Sequence, residues 1–357
     1  DCQRLFSKFA VPQEAYLQSL KRLSRLAWVV GALSVVVLTA LASDDLLLAG
    51  KKPHPTGPLR ISFTPLDLDS RNPARDHLGK LRFLSAWELR STDPEFGGLS
   101  SMIAQNGHIL ALNDTGTLFG FDAPPAATGQ FAEALPVQSR EFQIDRMQWD
   151  SESIVEDPVT GKYWVGFELV QRICRYAPRF ARIEECRVWP AIHAWPATES
   201  TEAMAHLPDG RFVVFSEGGA GPRGGNEALV FQGDPANGRS RPPISMSYIP
   251  PRGYRPTDAV SIGKGRVLVL NRRVTLLDGF TAALVVVDVS NLHAGAVLQG
   301  KEVARFASPI LSDNYEAMAV EKRGGHSVLW IASDDNHKFF QRSLLLEFIL
   351  PPELALP

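Results

Sequence analysis

The chain has 357 residues, of which 45% are hydrophobic and 21% charged, a composition typical of a globular protein with a large buried core. Its formal net charge of −2 and its isoelectric point near 6.5 lack the basic excess that nucleic acid or an anionic membrane selects. We therefore expect no nucleic-acid partner.

The first 42 residues have the three parts of a secretory signal. Basic residues between Lys21 and Arg25 precede an apolar run over residues 26–41, and small residues at the minus-three and minus-one positions predict cleavage after Ala42. The alternative is a membrane anchor through residues 26–42, because the apolar run is close to the length that spans a bilayer. We expect an exported protein, periplasmic or secreted, without membrane contact after cleavage.

A linker and one domain are predicted to follow the signal. Residues 43–58 are polar and contain prolines, which indicates a linker, and the domain covers residues 59–352. Within the domain, Leu59–Leu66 and Lys80–Leu89 alternate between apolar and polar residues, which predicts two strands.

The two cysteines after the signal are predicted to form a disulfide. Cys174 and Cys186 are equidistant from a turn near residues 177–179, in a segment with the pattern of two strands. Residues placed in this way face each other across a hairpin, and an exported protein can oxidise them. The alternative is two free buried thiols. No Cys-x-x-Cys pair occurs in the sequence, so a zinc or redox motif is not supported.

From residue 98 onward the chain repeats one layout five times. A carboxylate precedes a short apolar run, and a polar group follows about sixteen residues later. Glycine takes the place of the carboxylate in the first copy. The anchors of the five copies are 50 to 58 residues apart, and they are Gly98, Glu152, Glu202, Asp258 and Glu316. A period in this range indicates a repeat architecture.

Each period divides into four short strands, which predicts an all-β fold, a β-propeller of four-stranded blades. The last repeat ends after its third strand, at residues 343–350, so we expect the N-terminal strand Lys80–Leu89 to supply the fourth and close the ring. Five blades are predicted. The alternative is a sixth blade built from Leu59–Leu66 and other terminal strands.

The propeller places the repeated polar groups at one mouth of the central channel, because the start of an innermost strand and the end of the next strand lie at the same end of an antiparallel pair. The predicted pairs are Gly98 with Asp114, Glu152 with Glu168, Glu202 with Glu217, Asp258 with Arg272, and Glu316 with Asp334. So many carboxylates need cations beside them, and an oxygen-rich cluster selects Ca²⁺ or Mg²⁺. The alternative is that the acids accept backbone hydrogen bonds and keep the blades in register.

We assign predicted roles on this basis. The catalytic candidates are Glu152, Glu202, Glu316 and Arg272. The metal-binding candidates are Asp114, Glu168, Glu217, Asp258, Asp334 and Asp335. Loops at the same mouth provide the substrate-binding candidates, which are Arg223, Arg273, His337 and Lys338.

The motifs that carry these residues resemble the phytase-like domain family, also described as "esterase-like activity of phytase". The resemblance runs from about residue 59 to residue 350, and its motifs are residues 96–100, 150–154, 202–205 with 208–210, 268–272, and 314–319 with 333–336. It implies a propeller, export from a bacterial cell, and hydrolysis of phosphate or carboxylic esters. The predicted function is an exported, metal-assisted hydrolase of a small anionic or ester substrate, with water activated by the metal as the nucleophile. The alternative is a non-catalytic propeller that binds a ligand or a partner through the same face.

Overall fold

The structure, a computed structural model, describes residues 57–126, 128–136 and 149–357. The predicted signal and the linker up to residue 56 lie outside the described residues. The chain divides into two units, Asp1–Lys52 and Pro53–Pro357, and the described residues all belong to the second unit. Among them, no helix is both long enough and apolar enough to cross a membrane.

The described residues form 24 strands, numbered here in chain order. Strands β1 to β8 are Gly57–Pro58, Ile61–Leu66, His77–Leu78, Leu81–Ser91, Leu99–Gln105, His108–Asn113, Thr117–Asp122 and Phe131–Ala134. Strands β9 to β16 are Ser151–Asp157, Lys162–Phe167, Arg172–Tyr176, Ile183–Val188, Ala203–His206, Phe212–Ala220, Asn226–Phe231 and Ile244–Ile249. Strands β17 to β24 are Arg255–Gly263, Arg266–Thr275, Gly279–Asp288, Val297–Gln299, Lys301–Phe306, Tyr315–Arg323, His326–Ser333 and Ser343–Ile349. One short α-helix, α1, covers Pro190–His193, and single 3₁₀ turns cover Pro178–Phe180 and Pro352–Leu354.

These strands form five sheets, which are the blades of a propeller. From the innermost strand outward, blade 1 is β5-β6-β7-β8-β1 and blade 2 is β9-β10-β11-β12. Blade 3 is β13-β14-β15-β16-β20, and blade 4 is β17-β18-β19-β21. Blade 5 is β22-β23-β24-β4-β2, and the short strand β3 also pairs with β4 in this sheet. The innermost strands β5, β9, β13, β17 and β22 contact one another in that order, and β22 contacts β5, so the ring is closed. The predicted five-bladed propeller is confirmed.

Blade 5 combines both ends of the described chain. Strand β4 pairs with β24 in an antiparallel register that places Trp87 opposite Leu345, as the sequence predicted for residues 80–89. The sixth blade suggested as the alternative for Leu59–Leu66 does not form, because β2 adds to the outer edge of β4 in the same sheet. The first and last strands of the described domain that pair in blade 5 therefore close the ring.

The hydrophobic core consists of five clusters, one between each pair of neighbouring blades. Successive residues of a strand point to opposite faces of its sheet, so one strand supplies two clusters. In β14, Phe212 and Val214 pack toward blade 2, whereas Val213 and Phe215 pack toward blade 4. A strand buried on both faces has a continuous apolar sequence, as β14 does.

Cys174 and Cys186 lie opposite each other on β11 and β12 and are joined by a disulfide. The pair lies in blade 2, near the outer edge of the propeller. Cys174 is buried among the residues between blades 1 and 2.

Candidate functional site

In three blades a glutamate lies at or directly before the start of the innermost strand. In blades 2 and 5 a β-bulge inserts one extra residue into the inner strand, and that residue is Glu152 in β9 and Glu316 in β22. In blade 3, Glu202 directly precedes β13. The three glutamates therefore occupy equivalent positions at one end of the channel.

The equivalent positions in blades 1 and 4 differ from those predicted. The extra residue of the bulge is Ser100 in β5 and Thr257 in β17, rather than Gly98 and Asp258. Spacing along the sequence missed these differences because they amount to only two residues in blade 1 and one residue in blade 4. Blades 1 and 4 thus place a hydroxyl group where the other blades place a carboxylate.

Asp258 lies inside the channel, where it connects three blades. Its Oδ1 accepts a hydrogen bond from the backbone N–H of Ala259 at 2.7 Å, and its Oδ2 accepts one from the N–H of Met318 at 2.6 Å. The hydroxyl of Ser101, 3.4 Å away, is a third donor. Burial raises the pKa of Asp258. The structure does not bring Asp258 to the metal candidates, and its contacts fit the alternative role of an acceptor that fixes blade register.

The second strands of the blades end beside these inner-strand starts, as predicted. The backbone N–H of Asp114 donates to the carbonyl of Gly98 at 3.0 Å, that of Glu168 to Asp150 at 2.7 Å, and that of Asp334 to Asn314 at 2.9 Å. In blades 3 and 4 the corresponding positions are occupied by Glu217 in β14 and Arg272 in β18. We call the resulting set the carboxylate funnel, and it consists of Asp114, Asp150, Glu152, Glu168, Glu202, Glu217, Glu316 and Asp334.

Arg272 supplies positive charge on one side of the carboxylate funnel. Its Nη2 donates to Glu217 Oε1 at 2.8 Å, and its Nη1 donates to Glu316 and, at 2.9 Å, to Asn314 Oδ1. Asn314 Nδ2 donates in turn to Glu316 Oε1 at 3.0 Å. Arg272 therefore joins blades 3, 4 and 5, and the structure uses its two terminal nitrogens for this link rather than leaving both open to substrate.

The opposite side of the funnel gathers three carboxylates. Asp150, Glu152 and Glu168 each present an oxygen, and these oxygens lie within 4.8 Å of one another. Glu168 is buried, whereas Asp150 and Glu152 are partly exposed at the channel mouth. This group, called here the carboxylate triad, has the spacing that a single cation can bridge.

Asp150 is the member of the triad that was not among the predicted site residues. Its φ of 29° lies in the left-handed region, which a residue with a side chain seldom adopts. Such conformations persist where the surrounding structure imposes them, and they cluster at functional sites. The available signal in the sequence was its position directly before Ser151 and Glu152, but that position equally fitted a loop between blades.

Two aspartates lie near Gly98 at the edge of the funnel. Asp335 accepts hydrogen bonds from the N–H groups of Gly98 at 3.1 Å and His337 at 3.0 Å, and from the Ser343 hydroxyl at 2.7 Å, so its contacts are those of a loop support. Asp114 differs, because its Oδ1 is buried and has no hydrogen-bond partner among the described residues. Gly98 has a φ of 62°, and an added Cβ would lie only 2.8 Å from Asp114 Oδ1. Glycine thus permits the approach of the Asp114 carboxyl group.

The proximity of the acids shifts their protonation equilibria. Burial, with the charge of Asp150 as the next cause, raises the pKa of Asp114 to about 8. Burial and the charges of Glu152 and Asp150 raise the pKa of Glu168 to about 9. Burial and neighbouring carboxylates also raise the pKa values of Glu152, Glu202 and Asp334. Without a bound cation, the funnel therefore resists full ionisation at neutral pH.

The predicted basic residues have separate locations. Arg223 lies in the β14–β15 connection, where its backbone N–H donates to Ser247 and its guanidinium lies near Gly295, away from the funnel. Arg273 pairs with Asp278 at 2.9 Å and lies over the ring of Tyr254. His337 lies closer, with its Nε2 3.2 Å from the position of a Cβ on Gly98. Lys338 follows His337 in the loop after Asp334.

The donors of the carboxylate triad fit a hard divalent cation. Carboxylate oxygens are the ligands of Ca²⁺ and Mg²⁺, and no histidine or cysteine belongs to the triad. The buried Oδ1 of Asp114, which lacks a hydrogen-bond partner within the part of the chain that the structure describes, adds another oxygen at the same mouth. Ca²⁺ tolerates irregular arrangements of six to eight oxygens, whereas Mg²⁺ demands a regular octahedron, so the triad suits Ca²⁺ better.

The raised pKa values predict how the metal-free protein responds to pH. Unfolded Asp and Glu titrate near pH 4, whereas the folded pKa values are about 8 for Asp114 and about 9 for Glu168. The folded state therefore binds more protons between these limits, and its free energy of unfolding must fall as the pH rises. We expect urea unfolding in a chelating buffer to show a loss of more than about 1 kcal/mol from pH 5 to pH 9. Asp114→Asn should reduce this loss, and a stability independent of pH would contradict the expectation.

Comparison with solved structures gives distant likenesses. A glutaminyl cyclase from Myxococcus xanthus is 9% identical with a TM-score of 0.45, and the match covers 76% of this chain and 97% of that one. An α-L-arabinofuranosidase from Podospora anserina is 9% identical with a TM-score of 0.46, covering 81% and 97%. A putative glycoside hydrolase from Parabacteroides distasonis is 11% identical with a TM-score of 0.44, covering 82% and 97%. We draw no functional conclusion from these likenesses, and the fold assignment rests on the sheet topology.

Comparison with sequences is more informative about family. A search of curated proteins found no match. A family model described as "Phytase-like: Esterase-like activity of phytase" matches residues 94–337. The match begins just before β5 of blade 1 and ends after β23 of blade 5, so it includes the whole carboxylate funnel. The chain therefore belongs to the phytase-like family.

Proposed function

We propose that the protein is a metal-dependent hydrolase that acts on phosphate or carboxylic esters at the carboxylate funnel. The observation that carries the proposal is the carboxylate triad, Asp150, Glu152 and Glu168, at the mouth of a closed ring and across the funnel from an ion-paired arginine. Membership of the phytase-like family supports ester hydrolysis as the reaction class.

The residues on the two sides of the funnel have different proposed roles. Asp150, Glu152 and Glu168 would hold a Ca²⁺ or Mg²⁺ ion, which supplies positive charge for a phosphoryl or carbonyl oxygen and activates water. Arg272 fixes Glu217 and Glu316 by hydrogen bonds and offsets part of their negative charge. Glu202 hydrogen-bonds Glu168 of the triad and also interacts electrostatically with Glu217, so it connects the two sides.

His337 and Lys338 are the proposed contacts for an anionic part of the substrate. They lie in the loop that follows Asp334, and His337 approaches Gly98 at the edge of the funnel. Arg223 and Arg273 are not proposed for this role, because their contacts lie elsewhere. A substrate anion would thus approach from the side of blades 1 and 5.

We further propose that the protein functions outside the cytoplasm, in the periplasm or as a secreted protein. The disulfide between Cys174 and Cys186 supports this proposal, because such bonds persist in oxidising compartments.

The test of function is an assay with p-nitrophenyl phosphate and p-nitrophenyl butyrate, in calcium and in a chelator. We expect turnover only with calcium, and Glu152→Gln should lower kcat/KM by about a hundredfold or more. Glu133→Gln is the matched control, because Glu133 is an exposed glutamate on the outer strand β8. Calcium binding without turnover of either ester would instead indicate a ligand-binding propeller and would contradict the enzymatic proposal.

A further inference from the structure

The end of the central channel opposite the carboxylate funnel contains a cavity. Its volume is about 630 Å³, which lies within the range of small-molecule sites. All five innermost strands contribute to its wall, and they do so through their later residues, beyond the ends that form the funnel. We call it the far-end cavity. It goes beyond the proposed hydrolase function, because none of the carboxylate triad lines it.

The wall of the far-end cavity is mainly apolar. Each inner strand contributes aliphatic or thioether side chains, which include Met102, Ile154, Ala205, Ala259 and Met318. These five residues are buried. At the rim, Val159 is 90% exposed, so the apolar surface continues out of the cavity. Such a wall favours an apolar ligand, because the apolar surface of the ligand leaves water when it enters the cavity.

The charges of the wall are all negative apart from one histidine. Glu156 and Asp157 lie at the end of β9, and Asp258 lies deeper in the channel, whereas no lysine or arginine among the described residues lines the cavity. His206 also lines it, and burial lowers the pKa of this residue. Near the rim, Lys322 Nζ donates to the carbonyl of Pro357. An anionic ligand such as a fatty acid would meet carboxylates without a cation in the wall, which is unfavourable.

We propose that the far-end cavity binds an apolar organic cation, such as an alkylammonium compound. The alkyl chain would pack among Met102, Ile154 and Met318, and the ammonium group would stay at the rim beside Glu156 and Asp157. This arrangement buries the apolar part while it leaves the charge near water and carboxylates. The channel then has two binding ends of different chemistry, separated by Asp258.

Isothermal titration of the full chain with four probes tests the proposal. Octyltrimethylammonium is expected to bind more tightly than octanol, and octanol more tightly than octanoate. Tetramethylammonium, which has the charge without the chain, is expected to bind at least about tenfold more weakly than octyltrimethylammonium. Equal binding of the three octyl compounds, or equal binding of the two ammonium compounds, would overturn the proposal.

Variants locate the site. Ala259→Leu narrows the cavity and is expected to weaken octyltrimethylammonium binding by about tenfold or more. If this variant does not fold, Glu156→Gln provides the test, since it should reduce the preference for octyltrimethylammonium over octanol. Glu152→Gln in the funnel and Leu277→Ser on an exposed loop should leave binding unchanged. Loss of binding in either of these two, with binding retained in the cavity variants, would overturn the assignment.

Discussion

Calcium is expected to raise the melting temperature of the metal-free protein by several degrees, and Glu152→Gln is expected to abolish this rise. A ligand at one hundred times its dissociation constant stabilises the folded state by about 2.7 kcal/mol. Glu152 contributes one of the three oxygens of the carboxylate triad, and an amide in its place removes a charge that the cation requires. Differential scanning fluorimetry with a calcium titration after chelation measures both effects.

Further variants test whether the calcium effect depends on the carboxylate triad. Asp150→Asn should lose the calcium effect as Glu152→Gln does, whereas Glu133→Gln should keep it. In the chelator, Glu152→Gln should unfold at a higher temperature than the unsubstituted protein, because it replaces an acid whose ionisation burial and the neighbouring carboxylates oppose. A calcium effect that survives in both triad variants would show that the cation binds elsewhere or that these acids only hold the blades in register.

The second large effect is expected at Arg272. Its guanidinium bridges Glu217 and Glu316, and its side chain is 24% exposed. Arg272→Met removes the cation but leaves both carboxylates in place, and breaking a buried ion pair in this way costs about 3 to 5 kcal/mol. We expect a destabilisation near the lower limit, about 3 kcal/mol, because the arginine retains some contact with water. Urea unfolding at pH 7 measures the loss.

A double-mutant cycle separates the ion pair from simple loss of packing. Glu316→Gln combined with Arg272→Met should destabilise the protein by at least about 1 kcal/mol less than the sum of the two single changes, because the two groups interact directly. Arg272→Lys should retain part of the stability but lose the two-sided link, since an ammonium group lacks the planar fork of a guanidinium. Additive effects would contradict the role of Arg272 as the counter-ion of the funnel.

The fold was predictable because its signals are local and repeated. Turn residues such as Pro208, Asp209 and Gly210 separate short apolar runs. A repeat of 50 to 58 residues sets the size of a blade. The missing fourth strand of the last repeat predicted closure by residues 80–89, which β4 provides. Whether Leu59–Leu66 would start another blade was not encoded locally, because an alternating strand fits the edge of any sheet.

The site was predictable in its location but less so in its details. Polar residues at strand ends predicted the convergence of Glu152, Glu168 and Asp334, because antiparallel pairing fixes which ends meet. In blade 4 a bulge makes Thr257, rather than Asp258, the residue equivalent to Glu152 and Glu316. Spacing along the sequence does not reveal this one-residue change. The partner of Arg273 is Asp278 in its own hairpin, and such pairings depend on side-chain directions that only the folded structure defines.

The most direct test of the central claim is a crystal grown with Mn²⁺, with diffraction data collected at a wavelength where manganese scatters anomalously. Manganese takes the oxygen ligands that suit calcium and magnesium. We predict an anomalous difference peak bounded by the carboxylates of Asp150, Glu152 and Glu168. A peak at another position, or none at the triad while the crystal contains manganese elsewhere, would contradict the account.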